Sequence, residues 1–89
     1  GYNLKASDMQ AAVGVRQLDK LPEFIRVRRE NFEYLHARLA HLQDALILPQ
    51  ATPRGNPSWF GFPITVRSET GVRRRDVIAE LTERKIGTR

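Results

Sequence analysis

Apolar residues at Ile25, Phe32, Leu35, Leu39, Leu42 and Leu46 recur at three- and four-residue spacing, which commits the middle of the chain to one amphipathic helix. Arg26, Arg29, Glu30, Glu33 and Arg38 fall on the other face. Pro22 suits a first helical turn, where its missing N–H would have no intrahelical acceptor. The pattern therefore predicts a long helix from Pro22 to about Gln43, with Phe24 near its start serving the short corner with the preceding helix. Such a stripe has to be covered, and packing onto a local sheet is the simplest way to do it.

The flanking segments supply those elements. Ser7-Asp8-Met9-Gln10 reads as a capping box, in which the Ser7 hydroxyl accepts from the Gln10 N–H and the Gln10 side chain reaches back. A first helix from Asp8 to about Leu18 follows. Gly14 in its middle costs up to about 1 kcal/mol relative to alanine, and close approach of another backbone is the expected compensation. With Ala11 and Ala12 it makes a thin helix suited to burial. Downstream, Ile47-Leu48-Pro49 predicts a short strand ended by proline, and Gln50 to Ser58 a loop with Pro53, Gly55 and Pro57. Trp59 to Val66 alternates Phe60, Phe62, Ile64 and Val66, a strand pattern, and Pro63, which lacks a ladder donor, puts it at an edge or faces outward there. A polar turn from Arg67 to Gly71 leads to a third helix, about Arg73 to Arg84, with Val77, Ile78 and Leu81 inward. Glu80 and Arg84 form an i,i+4 pair, and Gly87 is expected to end the turn. The fold class expected is α+β, with helices packed on a small antiparallel sheet.

Composition narrows the function classes. Fifteen basic against ten acidic residues give a net charge of +5, which favours anionic partners such as phosphate, a nucleotide or nucleic acid. The chain has no cysteine, which excludes disulfides, thiolate nucleophiles and cysteine-held metals within these residues. No apolar run reaches the ~20 residues that span a bilayer, no signal-peptide pattern occurs, and a cytoplasmic location is expected. His36 and His41 lie five apart on the long helix, about 500° of rotation, so they do not share a face as paired metal ligands would. There is no glycine-rich phosphate loop and no nucleophile elbow. The carboxylates Glu30, Glu33, Asp76, Glu80 and Glu83 fit solvated helix faces. Nothing composes a complete catalytic site.

Two clusters, Arg26/Arg28/Arg29 and Arg73/Arg74/Arg75, could hold phosphates, although arginines lying along helix surfaces give the simpler account. A helix-turn-helix reading, with a corner at Asp19–Leu21, has against it the length of the second helix and the lack of a preceding scaffold helix. Ile25, Phe32, Leu39 and Leu46 also repeat by sevens, but Arg28 spoils the alternate register of a coiled coil. A long amphipathic helix without all its neighbours is nevertheless expected to self-associate. A basic nucleic-acid-binding or scaffold module stays open as a reading from another class.

The opening Gly1-Tyr2-Asn3-Leu4-Lys5-Ala6-Ser7-Asp8-Met9-Gln10-Ala11-Ala12 resembles the DegT/DnrJ/EryC1/StrS sugar aminotransferase family, whose members carry G-Y-N-x-R/K and then a helix opening D/E-x-Q-A-A. The likeness continues through Gly14, Leu18 and Arg28-Arg29-Glu30-Asn31-Phe32. Pro57-Ser58-Trp59-Phe60-Gly61-Phe62-Pro63-Ile64 and Lys85-Ile86-Gly87-Thr88-Arg89 are most similar to one branch, the CDP-4-keto-6-deoxyglucose 3-dehydrase type of lipopolysaccharide O-antigen deoxysugar synthesis. The resemblance implies a fragment of the C-terminal small domain of a fold-type-I PLP-dependent transferase, inactive by itself. Residues 1–21 would be the lead-in segment and first helix, and 22–89 a partial small domain.

The resemblance also implies roles. Asn3 matches the asparagine that reaches the cofactor phosphate of the other subunit in a homodimer, and an amide donor suits that task. Lys5 stands where many relatives have arginine and would face the same anions, without a bidentate grip. Arg89 matches the terminal T-R and would lie near substrate. The dehydrase branch uses pyridoxamine phosphate with histidine in place of the Schiff-base lysine, a cysteine-held [2Fe-2S] cluster and a reductase partner. Neither that histidine nor those cysteines fall within these residues, and His36 and His41 do not match the position. A PLP-dependent sugar aminotransferase of the same family, on a nucleotide-sugar substrate, is the alternative.

Overall fold

A computed structural model describes residue 5 and residues 7–89. Its element order is helix α1 (Asp8–Leu39), a 3-10 turn (Ala40–Leu42), strand β1 (Leu46–Ile47), strand β2 (Thr65–Val66), a second 3-10 turn (Ser68–Thr70) and helix α2 (Arg74–Glu83). The α+β class is observed, with two helices rather than three.

The first two expected helices are one. α1 runs for 32 residues without a break at Asp19–Leu21, and Pro22 lies inside it. The proline removes one backbone donor, so the Leu18 carbonyl loses its helical partner, a cost of about 3 kcal/mol or more in a helix interior. Exposed side-chain pairs support the helix on both sides of that gap. Arg16 and Asp19 meet at 3.2 Å, and Arg26 bonds both Glu23 and Glu30. No glycine stands at the corner to supply an alternative backbone, so continuation prevails. The expected division between residues 1–21 and 22–89 falls inside this helix.

The α1 N-terminus follows the sequence. Ser7 is the N-cap, its hydroxyl accepting from Gln10 N–H at 3.2 Å, while Gln10 Oε1 accepts from Ser7 N–H at 2.9 Å. The expected burial of this end does not occur. Met9 is 82% and Leu18 64% exposed, and nothing lies within 4 Å of where a Gly14 Cβ would stand. Packing begins further along, where Ile25, Arg29, Phe32, His36 and Leu39 are half-buried.

β1 and β2 are antiparallel, with Leu46 opposite Val66 and Ile47 opposite Thr65. Arg67 extends the pairing: its N–H donates to Ala45 O and its Nε to Gln43 O, both at 2.8 Å. The expected strand from Trp59 to Val66 shrinks to its last two residues, because the backbone bends at Phe60, next to Gly61, and Pro63 cannot donate. β1 likewise sits at Leu46–Ile47, a residue earlier than expected. Leu48, just after β1, is buried at 7% exposure.

α2 matches its expected span within a residue at each end, with Val77, Ile78 and Leu81 half-buried and Arg84 Nε bonded to Glu80 at 2.8 Å. Its end is not made by Gly87. Lys85 takes the left-handed conformation, φ 63°, and donates to Thr82 O at 2.9 Å, while Ile86 N–H donates to Leu81 O at 2.8 Å. This pair of bonds is a Schellman motif with lysine where glycine is usual. The whole measures 56 × 29 × 28 Å with a radius of gyration of 18.7 Å. A compact chain of this length would have about 12 Å. α1, roughly 48 Å long at 1.5 Å per residue, sets the long axis.

Candidate functional site

Three places carry the side chains of interest: the N-terminus of α1, an aromatic hub on its second half, and the chain end beyond α2. At the first, Lys5 is exposed beside the capping box. The N–H groups of Asp8 and Met9 fall in the first turn, where no intrahelical acceptor exists, so this end presents amide donors and a cation to an anion. The Asp8 carboxylate in the same turn opposes that field. Asn3 lies outside the described residues. This donor set fits the phosphate end of a cofactor and supplies nothing for its ring.

The aromatic hub is centred on Phe32. Its ring stacks on Trp59 with centres 4.0 Å apart and planes 4° from parallel, and it meets Phe62 at 5.3 Å and His36 at 5.7 Å. Arg29, one helical turn before Phe32, fastens the incoming loop to α1. Its Nη2 donates to Asn56 O at 2.7 Å and its Nε to Pro57 O at 3.3 Å. The sequence reading left Arg29 on the solvated face and assigned it no partner in the fold. Its spacing, four after Ile25 and three before Phe32, places it on the border of the apolar stripe and was the available signal. A shallow hollow of about 440 Å³ beside the hub is lined by Phe32, Glu33, His36, Ala37 and Pro49–Ala51.

The basic run on α1 is mostly engaged. Arg26 is held by Glu23 and Glu30, and this hydrogen bonding lowers the Glu23 carboxyl below the usual glutamate range and raises Arg26. Arg29 serves the loop. Arg28 alone of the three lies over an aromatic ring, that of Phe60, at 5.9 Å from its centre. The second cluster sits at the start of α2, where Arg73 is the N-cap and makes no side-chain cap bond.

Arg89 is exposed at the end of the described chain. Among the described residues, no hydrogen bond or ion pair joins Lys5 or Arg89 to each other or to another side chain. No group of three or more His, Asp or Glu is placed to hold a metal among the described residues. Among the described residues, no helix is long and apolar enough to cross a membrane.

A capped helix leading into a stripe-and-aromatic hub, followed by a strand pair and a terminal helix, makes up an α+β arrangement. The chain belongs to the DegT/DnrJ/EryC1/StrS aminotransferase family, whose model matches residues 1–89. Over all 89 residues it is 51% identical to the lipopolysaccharide biosynthesis protein RfbH of Salmonella typhimurium, covering 20% of that protein. It is 46% identical to the dTDP-4-dehydro-2,6-dideoxy-D-glucose 3-dehydratase of Saccharopolyspora spinosa, covering 19% of it. It is 38% identical to the GDP-4-keto-6-deoxy-D-mannose 3-dehydratase of Escherichia coli O55:H7, covering 22% of it. The chain thus spans about a fifth of the length of these relatives.

Proposed function

We propose that this chain is part of a nucleotide-sugar 3-dehydratase dependent on pyridoxal or pyridoxamine phosphate, acting in lipopolysaccharide deoxysugar synthesis in the cytoplasm. The observation that carries this reading is the gradation among relatives. Identity is 51% to RfbH and 46%, 38% and 34% to proteins named as 3-dehydratases, against 28% to a putative pyridoxal phosphate-dependent aminotransferase of Bacillus subtilis. An aminotransferase of the same family is the second reading, favoured by the family's own description.

In this reading residues 22–89 belong to the small domain, and the chain binds and orients rather than reacts. Asn3 donates its amide to the cofactor phosphate of the partner protomer in a homodimer. Lys5 and the free N–H groups opening α1 add positive potential there. Arg89 faces the substrate. The bound cofactor supplies the electron sink. A [2Fe-2S] cluster and a reductase partner belong to the dehydratase version alone.

The test is made on the whole enzyme. Purified protein is given a CDP-, dTDP- or GDP-linked 4-keto-6-deoxy sugar, and the product is examined for loss of the C3 hydroxyl against gain of an amine. An amino sugar as the product would refute the dehydratase reading. Asn3→Ala should weaken retention of the cofactor while leaving the folding of this segment intact. Unchanged cofactor affinity in that variant would refute the role given to Asn3.

A further inference from the structure

Phe60 breaks the pattern its neighbours set. Period-two spacing puts it on the same side as Phe62, yet Trp59 and Phe62 both lie against Phe32 while Phe60 is 85% exposed. The segment around it is held. Arg29 bonds the Asn56 and Pro57 carbonyls just before it, and packed rings flank it on both sides in sequence. Phe60 is therefore presented between anchored neighbours, and a side chain that defies its local pattern in such a setting is where a functional role is to be sought.

Its companion is equally specific. Of the three arginines in the α1 run, Arg26 is taken by two carboxylates and Arg29 by two carbonyls. Arg28 makes no ion pair or hydrogen bond among the described residues, and its guanidinium stands over the Phe60 ring at 5.9 Å. An exposed aromatic face next to a cation with free donors matches two parts of one ligand class. A nucleobase stacks on the ring, and a diphosphate accepts from the guanidinium fork.

We propose that Phe60 and Arg28 form a docking point for the nucleoside diphosphate portion of a sugar nucleotide, with the base on the Phe60 ring and the phosphates on Arg28. This deepens, and rests on, the reading of the chain as part of a nucleotide-sugar enzyme.

The experiment is calorimetric titration of the whole enzyme with CDP, dTDP and GDP, with the matching nucleosides and inorganic pyrophosphate as partial ligands. For the diphosphate that binds best, Phe60→Ala should weaken binding at least about fivefold, the lower end of what a stacked base contributes. The same variant should leave pyrophosphate binding unchanged, and Phe60→Tyr, which keeps the ring, should bind like the original. Arg28→Gln should weaken the diphosphate and pyrophosphate together. Equal affinity of Phe60→Ala and the original protein overturns the proposal, as does a Phe60→Tyr variant as weak as alanine. Binding of a single-stranded oligonucleotide in preference to all three diphosphates, lost in the same variants, overturns it too. An enzyme that still processes its sugar nucleotide and binds the diphosphate normally as Phe60→Ala would refute this inference and leave the proposed function standing.

Discussion

Replacing Phe32 by alanine should be the most damaging single change in the packed half of α1. The ring is half-buried and touches Trp59, Phe62 and His36 at 4.0, 5.3 and 5.7 Å between centres. Truncating a fully buried phenylalanine costs ~3–5 kcal/mol, and one that keeps some contact with water costs less. The stacked and tilted ring pairs contribute ~0.5–1.5 kcal/mol each beyond burial, part of which is already in that figure. The expected loss is about 2–3 kcal/mol. Phe32→Leu, which keeps most of the volume but not the stack, should lose about 1 kcal/mol. Trp59 is the one tryptophan of the chain, so urea unfolding followed by its emission reads this contact directly. The native emission should shift to longer wavelength in Phe32→Ala as the indole gains water. A loss below about 0.5 kcal/mol with an unshifted Trp59 spectrum would refute the reasoning, since removal of a stacked ring cannot leave both unchanged.

Three further outcomes follow from other parts of the chain. Lys85→Gly should raise stability by about 0.5–1 kcal/mol, because φ 63° strains a residue with a Cβ more than it strains glycine; an unchanged or lower thermal midpoint would contradict the strain. Hydrogen bonding to Arg26 holds the Glu23 carboxyl below the ordinary glutamate range, so its contribution is present above that range and is lost as pH falls through the lowered value. Circular dichroism of Glu23→Gln should accordingly vary less than that of the original between about pH 5 and pH 2, and parallel acid curves would argue against the pair. The bare first half of α1, with Met9 and Leu18 exposed, should drive association of the isolated chain, and a constant monomer mass in sedimentation equilibrium across concentrations would count against it.

What the sequence made legible was local chemistry. The Ser7–Gln10 capping box, the α2 span, the Glu80–Arg84 pair and the loop from Gln50 to Ser58 depend on residues a few positions apart, and all are found. Misreadings came where two local rules competed. Pro22 is as compatible with the start of a helix as with a gap in a longer one, and the helix runs through it. Gly87 looked like the stop for α2, yet hydrogen bonding from Lys85 and Ile86 closes the helix earlier. Alternation from Phe60 to Val66 predicted one buried face, but it presumes an unbent strand, and the bend at Phe60 exchanges its place with that of Trp59. Of the candidate site, Lys5 and Arg89 are exposed and apart from the hub, and Asn3 falls outside the described residues. The family motif pointed to them, and contacts within one chain cannot exhibit a role that reaches across to another. Arg29, read as a polar-face or phosphate-cluster residue, instead holds carbonyls nearly thirty positions along, a contact that no short-range rule connects.

A rod-like outline, 56 Å by under 30 Å, has a hydrodynamic cost. Friction grows with asymmetry, so the 10.2 kDa chain should elute from a sizing column ahead of spherical standards of its mass even as a single copy. Retention volume alone would then mimic a dimer. Tumbling would be anisotropic as well, slower end over end than about the long axis, and amide relaxation in α1 would differ from that in α2 according to how each lies to that axis.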